Sequence, residues 1–307
     1  MSDEAHSATA WTVVRLLNWT REFLQRSRIE SPRLCAEILL AHAMNCERIQ
    51  LYTRFEQIPD EAVRSTFRDL VKQAASGYPI AYLTGRKEFF SLPFEITPDV
   101  LIPRPESEIL VERTIDLVRK APDTQPVILD LGTGSGCIAV SLARHLPTAR
   151  LYASDISAAA LAVAQRNAQR HQVADRIEFR AGDLFDAWVP TGRDGAPSAF
   201  DIIVCNPPYV ATEGAPVDRA VREFEPSVAL FAGPDGLRVI RALLDAAPRW
   251  LRPGGHLLLE TAFDQAAALR VLLTGAAWQS INSYRDGAGH ERVWHARRSA
   301  AEHAQVA

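Results

Sequence analysis

Cysteine is scarce in this chain. Only four occur, Cys35, Cys46, Cys137 and Cys205, and no two of them form a CxxC pair or a disulfide-framework spacing. That pattern points to free thiols in a reducing cytosol and leaves no zinc site to expect. Long apolar runs are missing too. No basic start leads into an apolar h-region, and no run approaches the roughly 20 residues of a membrane span, so a cytoplasmic protein without a membrane partner is expected. Charge of one sign is also lacking, with 34 Lys and Arg against 37 Asp and Glu. A net charge of −3 weighs against a surface built to follow phosphate backbones, so no direct nucleic-acid partner is expected. There is no GK[ST] loop for a nucleoside triphosphate, no internal repeat and no low-complexity tract.

What is present is an ordinary globular composition, 47% apolar and 23% charged over 307 residues, long enough for two domains. Residues 11–75 read as helices. Val13, Leu16, Leu17, Phe23 and Leu24 fall near one helical face, Ser31-Pro32 reads as an N-cap with proline in the first turn, and Pro59-Asp60-Glu61 opens a third segment. A small helical bundle is expected over 8–78. Residues 76–105 lose the helical period and gain aromatics, β-branched residues and prolines, which predicts an extended or β-hairpin linker over 79–104. Pro105, with Glu106 and Glu108 at its positive end, then starts a helix.

From about residue 125 the rhythm is strand, turn, helix. The strands are "PVILDLG", "ARLYASD", "RIEFRAGD", "AFDIIVCN", "GGHLLLE", "WQSINSYRD" and "RVWHARR", with helices at 137–146, 157–171, 237–251 and 264–273. Such alternation predicts an α/β, Rossmann-like, seven-stranded sheet over 105–298, covered on both faces, with right-handed crossovers and an antiparallel pair at its end. Residues 191–198 read as a loop and 299–307 as a disordered tail.

The first of these strands ends in Asp130-Leu131-Gly132-Thr133-Gly134-Ser135-Gly136 and runs straight into a helix. Glycines let a ligand approach the backbone closely, and a helix start offers unpaired N–H groups. Asp155 ends the second strand, where a carboxylate can accept from both hydroxyls of a ribose. The spacing is GxGxG, not the GxGxxG of nicotinamide enzymes, so a different nucleoside-containing cofactor is indicated. Asp183 ends the third strand, placed to accept from an adenine amino group while Leu184 or Phe185 covers the ring. Cys137 and Cys205 read as small apolar fillers, with no adjacent base to make either a nucleophile.

The fourth strand runs into Asn206-Pro207-Pro208-Tyr209. In a doubly wound sheet this strand lies beside the first, so Asn206 faces the same crevice. The prolines stiffen the loop and leave carbonyls without donors. An Asn oxygen and the Pro207 carbonyl can together accept both hydrogens of a planar –NH2 group, with Tyr209 presenting a ring to whatever carries it. This local chemistry is an amine or amide clamp and does not choose between adenine and glutamine.

The segments "PIAYLTGRKEFFSLPFEITPDVLIPRPESEILVE" (79–112), "ILDLGTGSGCIAVSLA" (128–143), "SDIS" (154–157), "GDLF" (182–185), "NPPYV" (206–210) and "GPDGL" (233–237) resemble class I S-adenosylmethionine-dependent methyltransferases. Within these they are similar to the HemK/PrmC-type protein-(glutamine N5) methyltransferases, as is the helical N-terminal region. The resemblance implies methylation of the glutamine amide in the Gly-Gly-Gln motif of peptide-chain release factors, with S-adenosyl-L-homocysteine as product and no metal. It implies a cofactor held by Gly132, Thr133, Gly134, Ser135, Gly136, Asp155, Asp183 and Leu184 and bordered by Asn206. The catalytic motif would be Asn206, Pro207, Pro208 and Tyr209. The helices of 8–78 would grip the release factor, and the enzyme would act as a monomer. Two positions depart from the family pattern: Ser107 stands where threonine is usual after "IPRPE", and Thr261-Ala262 follow Glu260 where a glycine is common. Two alternatives use the same residues. One is glutamine methylation of a large-subunit ribosomal protein. The other is N6-adenine methylation of a flipped base, which calls for a basic groove and a target-recognition region that this sequence does not display.

Overall fold

A computed structural model describes residues 10–121, 125–188, 200–214 and 216–300. The loop expected over 191–198, and all but the first two residues of the tail expected over 299–307, lie outside the described residues. The chain divides into two units, one reaching to Arg86 and including Asp218–Phe224, the other taking Lys87–Val217 and Glu225 onward.

The first unit is helical. Helix α1 (Val13–Arg26) is capped by the Thr12 side chain, which accepts from Arg15 N. Helix α2 (Pro32–Ala43) begins with proline, where a missing N–H costs nothing. The capping role expected of Ser31 is corrected. Capping needs an extended backbone, whereas Ser31 sits at φ 49° and its side chain makes no capping bond. Helix α3 (Arg48–Thr53) is a short turn, and α4 (Glu61–Ala75) starts where Asp60 accepts from Val63 N at 2.8 Å. Leu24, Leu39, Leu40, Leu51, Phe67 and Val71 close the core between them. The extended reading of 76–105 is corrected at its start by helix α5 (Ile80–Thr84), which follows Pro79 and stops at Gly85 with φ 68°. The helical segment Arg219–Phe224 belongs to this unit, with the Phe224 ring 5.0 Å from Tyr78.

A hairpin of β1 (Arg86–Phe89) and β2 (Leu92–Glu95) follows, and from Lys87 on it belongs to the second unit. Its two turn residues, Phe90 and Ser91, have φ of 50° and 59°, the left-handed pair that matches the twist of a tight hairpin. After a 3-10 turn at Pro105–Ser107 come α6 (Glu108–Arg119), β3 (Val127–Leu131), α7 (Cys137–His145), β4 (Arg150–Asp155), α8 (Ala158–Arg170) and β5 (Ile177–Ala181). They are followed by β6 (Phe200–Cys205), α9 (Arg238–Trp250), β7 (Leu251–Glu260), α10 (Ala266–Leu272), β8 (Trp278–Arg285) and β9 (Glu291–Arg298). The strands form one seven-stranded sheet in the order β5-β4-β3-β6-β7-β9-β8. Pairs through β7 are parallel, and β9 is antiparallel to both β7 and β8. Strand order reverses between β3 and β6, where Leu131 pairs with Cys205, so the two strand ends expected to form a site emerge side by side. Leu129, Phe200, Ile203 and Leu257 pack against Ile240 and Leu243 of α9 on one face. Among the described residues no helix is long and apolar enough to cross a membrane.

Candidate active site

A cavity of about 230 Å³ opens at the carboxyl ends of β3, β4, β5 and β6. Gly132, Gly134, Asp155, Asp183, Leu184, Asn206, Pro207 and Pro208 all line it, so most of the site residues read from sequence meet here. Thr133, Ser135, Gly136 and Tyr209 do not line it; they hold its walls from behind.

The glycine turn is tied at both ends. Gly132 N and Thr133 N both donate to Ser154 O, at 2.8 and 3.0 Å. Thr133 Oγ1 donates to Asp130 Oδ2 at 2.7 Å, and the same oxygen accepts from Ala139 N at the start of α7. Asp130 is fully buried, and burial pushes its carboxyl up to about 7 against those two hydrogen bonds. Gly136 has φ 79°, and a Cβ there would meet Ala164 Cβ at 3.0 Å, so glycine lets α8 press onto the turn. The Asn167 amide joins three pieces, accepting from Glu95 N and donating to the carbonyls of Glu95 and Ser135.

At the end of β4, Asp155 accepts from Gly134 N at 2.9 Å and from Ser157 N at 2.8 Å. Burial raises its carboxyl above the usual range, and the backbone donors of Ser157, Gly134 and Ile156 oppose the rise. Beside it Ile156, an apolar side chain 57% exposed, lines the cavity. Leu184 holds a left-handed backbone at φ 45°, an unusual strain for a branched residue and one found most often at ligand sites. Cys137 and Cys205 are buried and their thiols are raised by burial, Cys137 to about 12, which suits fillers and not nucleophiles.

Asn206 carries the most informative geometry. Its Nδ2 donates to Ser107 Oγ at 3.0 Å, while its Oδ1 is buried and has no hydrogen-bond partner among the described residues. Ser107 Oγ donates in turn to Glu260 Oε2 at 2.6 Å. Tyr209 Oη donates to Glu260 Oε1 at 3.2 Å and accepts from Arg292 Nη2 at 3.2 Å. Burial raises both the Glu260 carboxyl and the Tyr209 phenol. An orphaned buried acceptor is rare in a folded protein, and at a cavity wall it marks a place for a donor from outside the chain.

Several cavity residues were not singled out from the sequence as site residues: Asp99, Val100, Leu101, Pro226, Val228 and Arg238. The first three precede the "IPRP" segment, which is pinned by buried Glu225. That carboxylate accepts from Ile102 N at 3.1 Å and from the Arg104 guanidinium. Pro103 and Pro105 on either side of Arg104 were the available signal, since stiff chain laid beside a strand end restricts a cavity.

Two family models match: "PrmC N-terminal domain" over residues 15–85 and "Methyltransferase small domain" over 107–227. The release factor glutamine methyltransferase of Rhodopirellula baltica is 42% identical over 294 residues, covering 94% of this chain and 97% of that protein. The protein of the same description from Burkholderia pseudomallei is 43% identical over 276 residues, covering 89% and 93%. Among solved structures, the hMettl16 catalytic domain in complex with MAT2A 3'UTR hairpin 6 superposes with a TM-score of 0.51 at 20% identity, over 78% of this chain and 84% of that one, a likeness of fold alone. With identity above 40% along nearly the full length of both relatives, the chain belongs to the release factor glutamine methyltransferase family.

Proposed function

We propose that this chain transfers a methyl group from S-adenosylmethionine to the side-chain amide nitrogen of the glutamine in the Gly-Gly-Gln motif of a peptide chain release factor. The observation that carries this reading is the free Oδ1 of Asn206, a buried acceptor at the wall of a cavity built from the glycine turn and Asp155.

The residues present fit the cofactor. Asp155 accepts from the backbone N–H groups of Gly134 and Ser157 on different oxygens and, as a carboxylate at the cavity wall, has lone pairs left for a ribose hydroxyl. Ile156 and Leu184 offer apolar faces to a base, and Asp183 offers an acceptor for its amino group. When bound, S-adenosylmethionine supplies a methyl group on a sulfonium, an electrophile that needs no further activation.

An amide nitrogen is a weak nucleophile because its lone pair is delocalised into the carbonyl. Asn206 Oδ1 and the Pro207 carbonyl, accepting from both amide hydrogens, raise electron density on that nitrogen and hold it still. Proline has no N–H, so neither Pro207 nor Pro208 introduces a competing backbone donor. Fixed carbonyl dipoles also favour the positive charge as it spreads over the reacting atoms. The nitrogen loses its extra proton only after the methyl has moved, so no side chain here has to titrate as a base.

In this reading the helical unit grips the protein substrate. It carries an apolar groove of about 670 Å³ lined by Trp11, Leu16, Trp19, Phe23, Phe67 and Val71, with the charged Glu61, Arg64, Arg68 and Lys72 also in its lining. Such a surface suits a folded protein better than a small molecule. The cytoplasm is the compartment this substrate requires, and the chain would act as a monomer on it.

The deciding experiment incubates the protein with methyl-labelled S-adenosylmethionine, purified release factor, ribosomal proteins and DNA together. Label on the Gly-Gly-Gln glutamine of the release factor is expected. Label confined to a ribosomal protein or to DNA would overturn the reading.

A further inference from the structure

We propose that Ser107 and Glu260 are positioning residues that set the polarity of the Asn206 amide, so that the cavity presents an oxygen and not an –NH2 group. The inference rests on the reading above, in which Asn206 Oδ1 grips the substrate amide, and adds what makes that oxygen available.

An asparagine amide can sit either way round in the same space, and the two orientations have opposite chemistry. What selects one is the partner at its inner end. Ser107 Oγ is that partner, at 3.0 Å from Nδ2, and it is itself only 2% exposed. A hydroxyl has a single proton to donate. Ser107 gives it to Glu260 Oε2 at 2.6 Å, the short distance of a charge-assisted bond. Only lone pairs remain toward Asn206, so that end of the amide must be the donor.

Glu260 is held as an acceptor from its other side. Its Oε1 accepts from Tyr209 Oη at 3.2 Å and stands 3.7 Å from the Arg292 guanidinium, whose side chain is 12% exposed. Arg292 also donates to Tyr209 Oη, which obliges the phenol proton to point at Glu260. Every hydrogen in the chain Arg292–Tyr209–Glu260–Ser107–Asn206 therefore points toward Glu260, from both ends. Glu260 is completely buried at the end of β7 and does not line the cavity, so it acts on the site only through the groups that donate to it.

The consequence is selectivity as well as rate. With Nδ2 engaged by Ser107, the Asn206 side chain is left with Oδ1 as its free acceptor for a substrate. A glutamine –NH2 satisfies it, whereas a glutamate carboxylate meets lone pairs with lone pairs. Replacing Glu260 by glutamine puts a possible donor beside Ser107. The serine can then accept from it and donate to Asn206, and the amide can turn over.

The test compares wild type, Ser107→Thr, Ser107→Val and Glu260→Gln on a peptide carrying Gly-Gly-Gln. Calorimetry for S-adenosylmethionine and a melting temperature are recorded for each. Threonine and valine have nearly the same shape and differ in the hydroxyl, so a filling role predicts equal effects. Expected instead is a kcat within about threefold of wild type for Ser107→Thr and a loss of about tenfold or more for Ser107→Val. Glu260→Gln should lose roughly 100-fold, the scale of removing one positioned group from a reacting centre. Cofactor affinity should stay within a few-fold throughout. Glu260→Gln should also be inhibited more strongly than wild type by the matching Gly-Gly-Glu peptide, which no loss of packing would produce. Equal kcat for the threonine and valine variants, or a Glu260→Gln variant that is fully active, overturns the proposal. Those results would leave wild-type glutamine methylation intact, whereas a wild type that does not methylate the glutamine peptide or the release factor overturns the functional reading on which the proposal rests.

Discussion

A Cβ atom on Gly236 would lie 2.3 Å from the carbonyl oxygen of Tyr209 and 3.0 Å from Ala211 N. The second glycine of "GPDGL" is therefore what allows the chain before α9 to press against the loop that carries Asn206. The same carbonyl accepts from Gln265 Nε2 at 3.0 Å, so Tyr209 is held on two sides. Gly236 also has φ 71°, where any other residue costs about 1–2 kcal/mol before a collision is counted. Gly236→Ala should lower the melting temperature and reduce kcat by roughly 100-fold, the scale of a 1 Å misplacement at a reacting centre. Calorimetric affinity for S-adenosylmethionine should change far less. A variant with wild-type turnover would mean that the loop does not depend on this contact.

Asn206→Ala removes the free acceptor and leaves the glycine turn and Asp155 untouched. Turnover on a release factor should fall by roughly 100- to 1,000-fold, as when one oriented hydrogen-bonding group is lost from a reacting centre. Cofactor affinity should remain within a few-fold. Asn206→Asp should not rescue it, since a second carboxylate would face Ser107, whose only proton is already given to Glu260. Mass spectrometry of the Gly-Gly-Gln peptide measures the outcome, and complete methylation by either variant would sink the clamp.

How far the sequence alone reaches can be judged from these same residues. The glycine turn, Asp155 and the Asn206-Pro207 pair are legible because each is a local pattern with a chemical demand of its own, set at a strand end by an alternation that also predicts the sheet. The pairing of Leu131 with Cys205 then brings them together as that alternation requires. Ser107 and Glu260 are a different case. One lies 99 positions before Asn206, and the other 153 positions after Ser107. A serine and a strand-end glutamate are ordinary residues until the fold sets them 2.6 Å apart. Helix α5 was missed because five residues are too few to show a period, and Gly85 was its only signal. Ser31 has the right chemistry for a cap, and its backbone dihedral alone decides against it.

Trp19 tests the helical unit. It is 43% exposed, stacks on Phe23 at 5.0 Å and meets Trp11 edge-on at 6.3 Å, so it stands as a large apolar face on the groove. If that groove holds the release factor, Trp19→Ala should raise KM for the full-length protein by roughly tenfold or more, the range of an aromatic anchor. The same variant should act on a short Gly-Gly-Gln peptide with unchanged kcat/KM. Equal losses on both substrates would instead mean a general loss of fold, and no loss on either would remove the groove from substrate recognition.

Acid sensitivity should arise far from this chemistry, at His256 and His295. Their ring nitrogens lie 2.9 Å apart on neighbouring strands β7 and β9, close enough for two neutral rings to share one proton. Burial lowers both; the neighbouring His256 ring, then Lys120 and Arg297, bring His295 down further to about 4, and the charges of Arg297 and Arg252 lower His256. The unfolded rings titrate near 6.5, so between these values the unfolded chain binds more protons than the folded one. The stability these rings contribute is present in full above pH ~6.5 and is lost as pH falls toward about 4, a loss on the order of 3 kcal/mol for His295. Replacing His295→Gln keeps a hydrogen-bonding partner for His256 and removes one proton site. Melting temperatures taken from pH 7.5 down to 4.5 should therefore fall more steeply for wild type than for the variant, with carboxylates common to both cancelling in the comparison. Parallel curves would place the acid sensitivity elsewhere in the sheet.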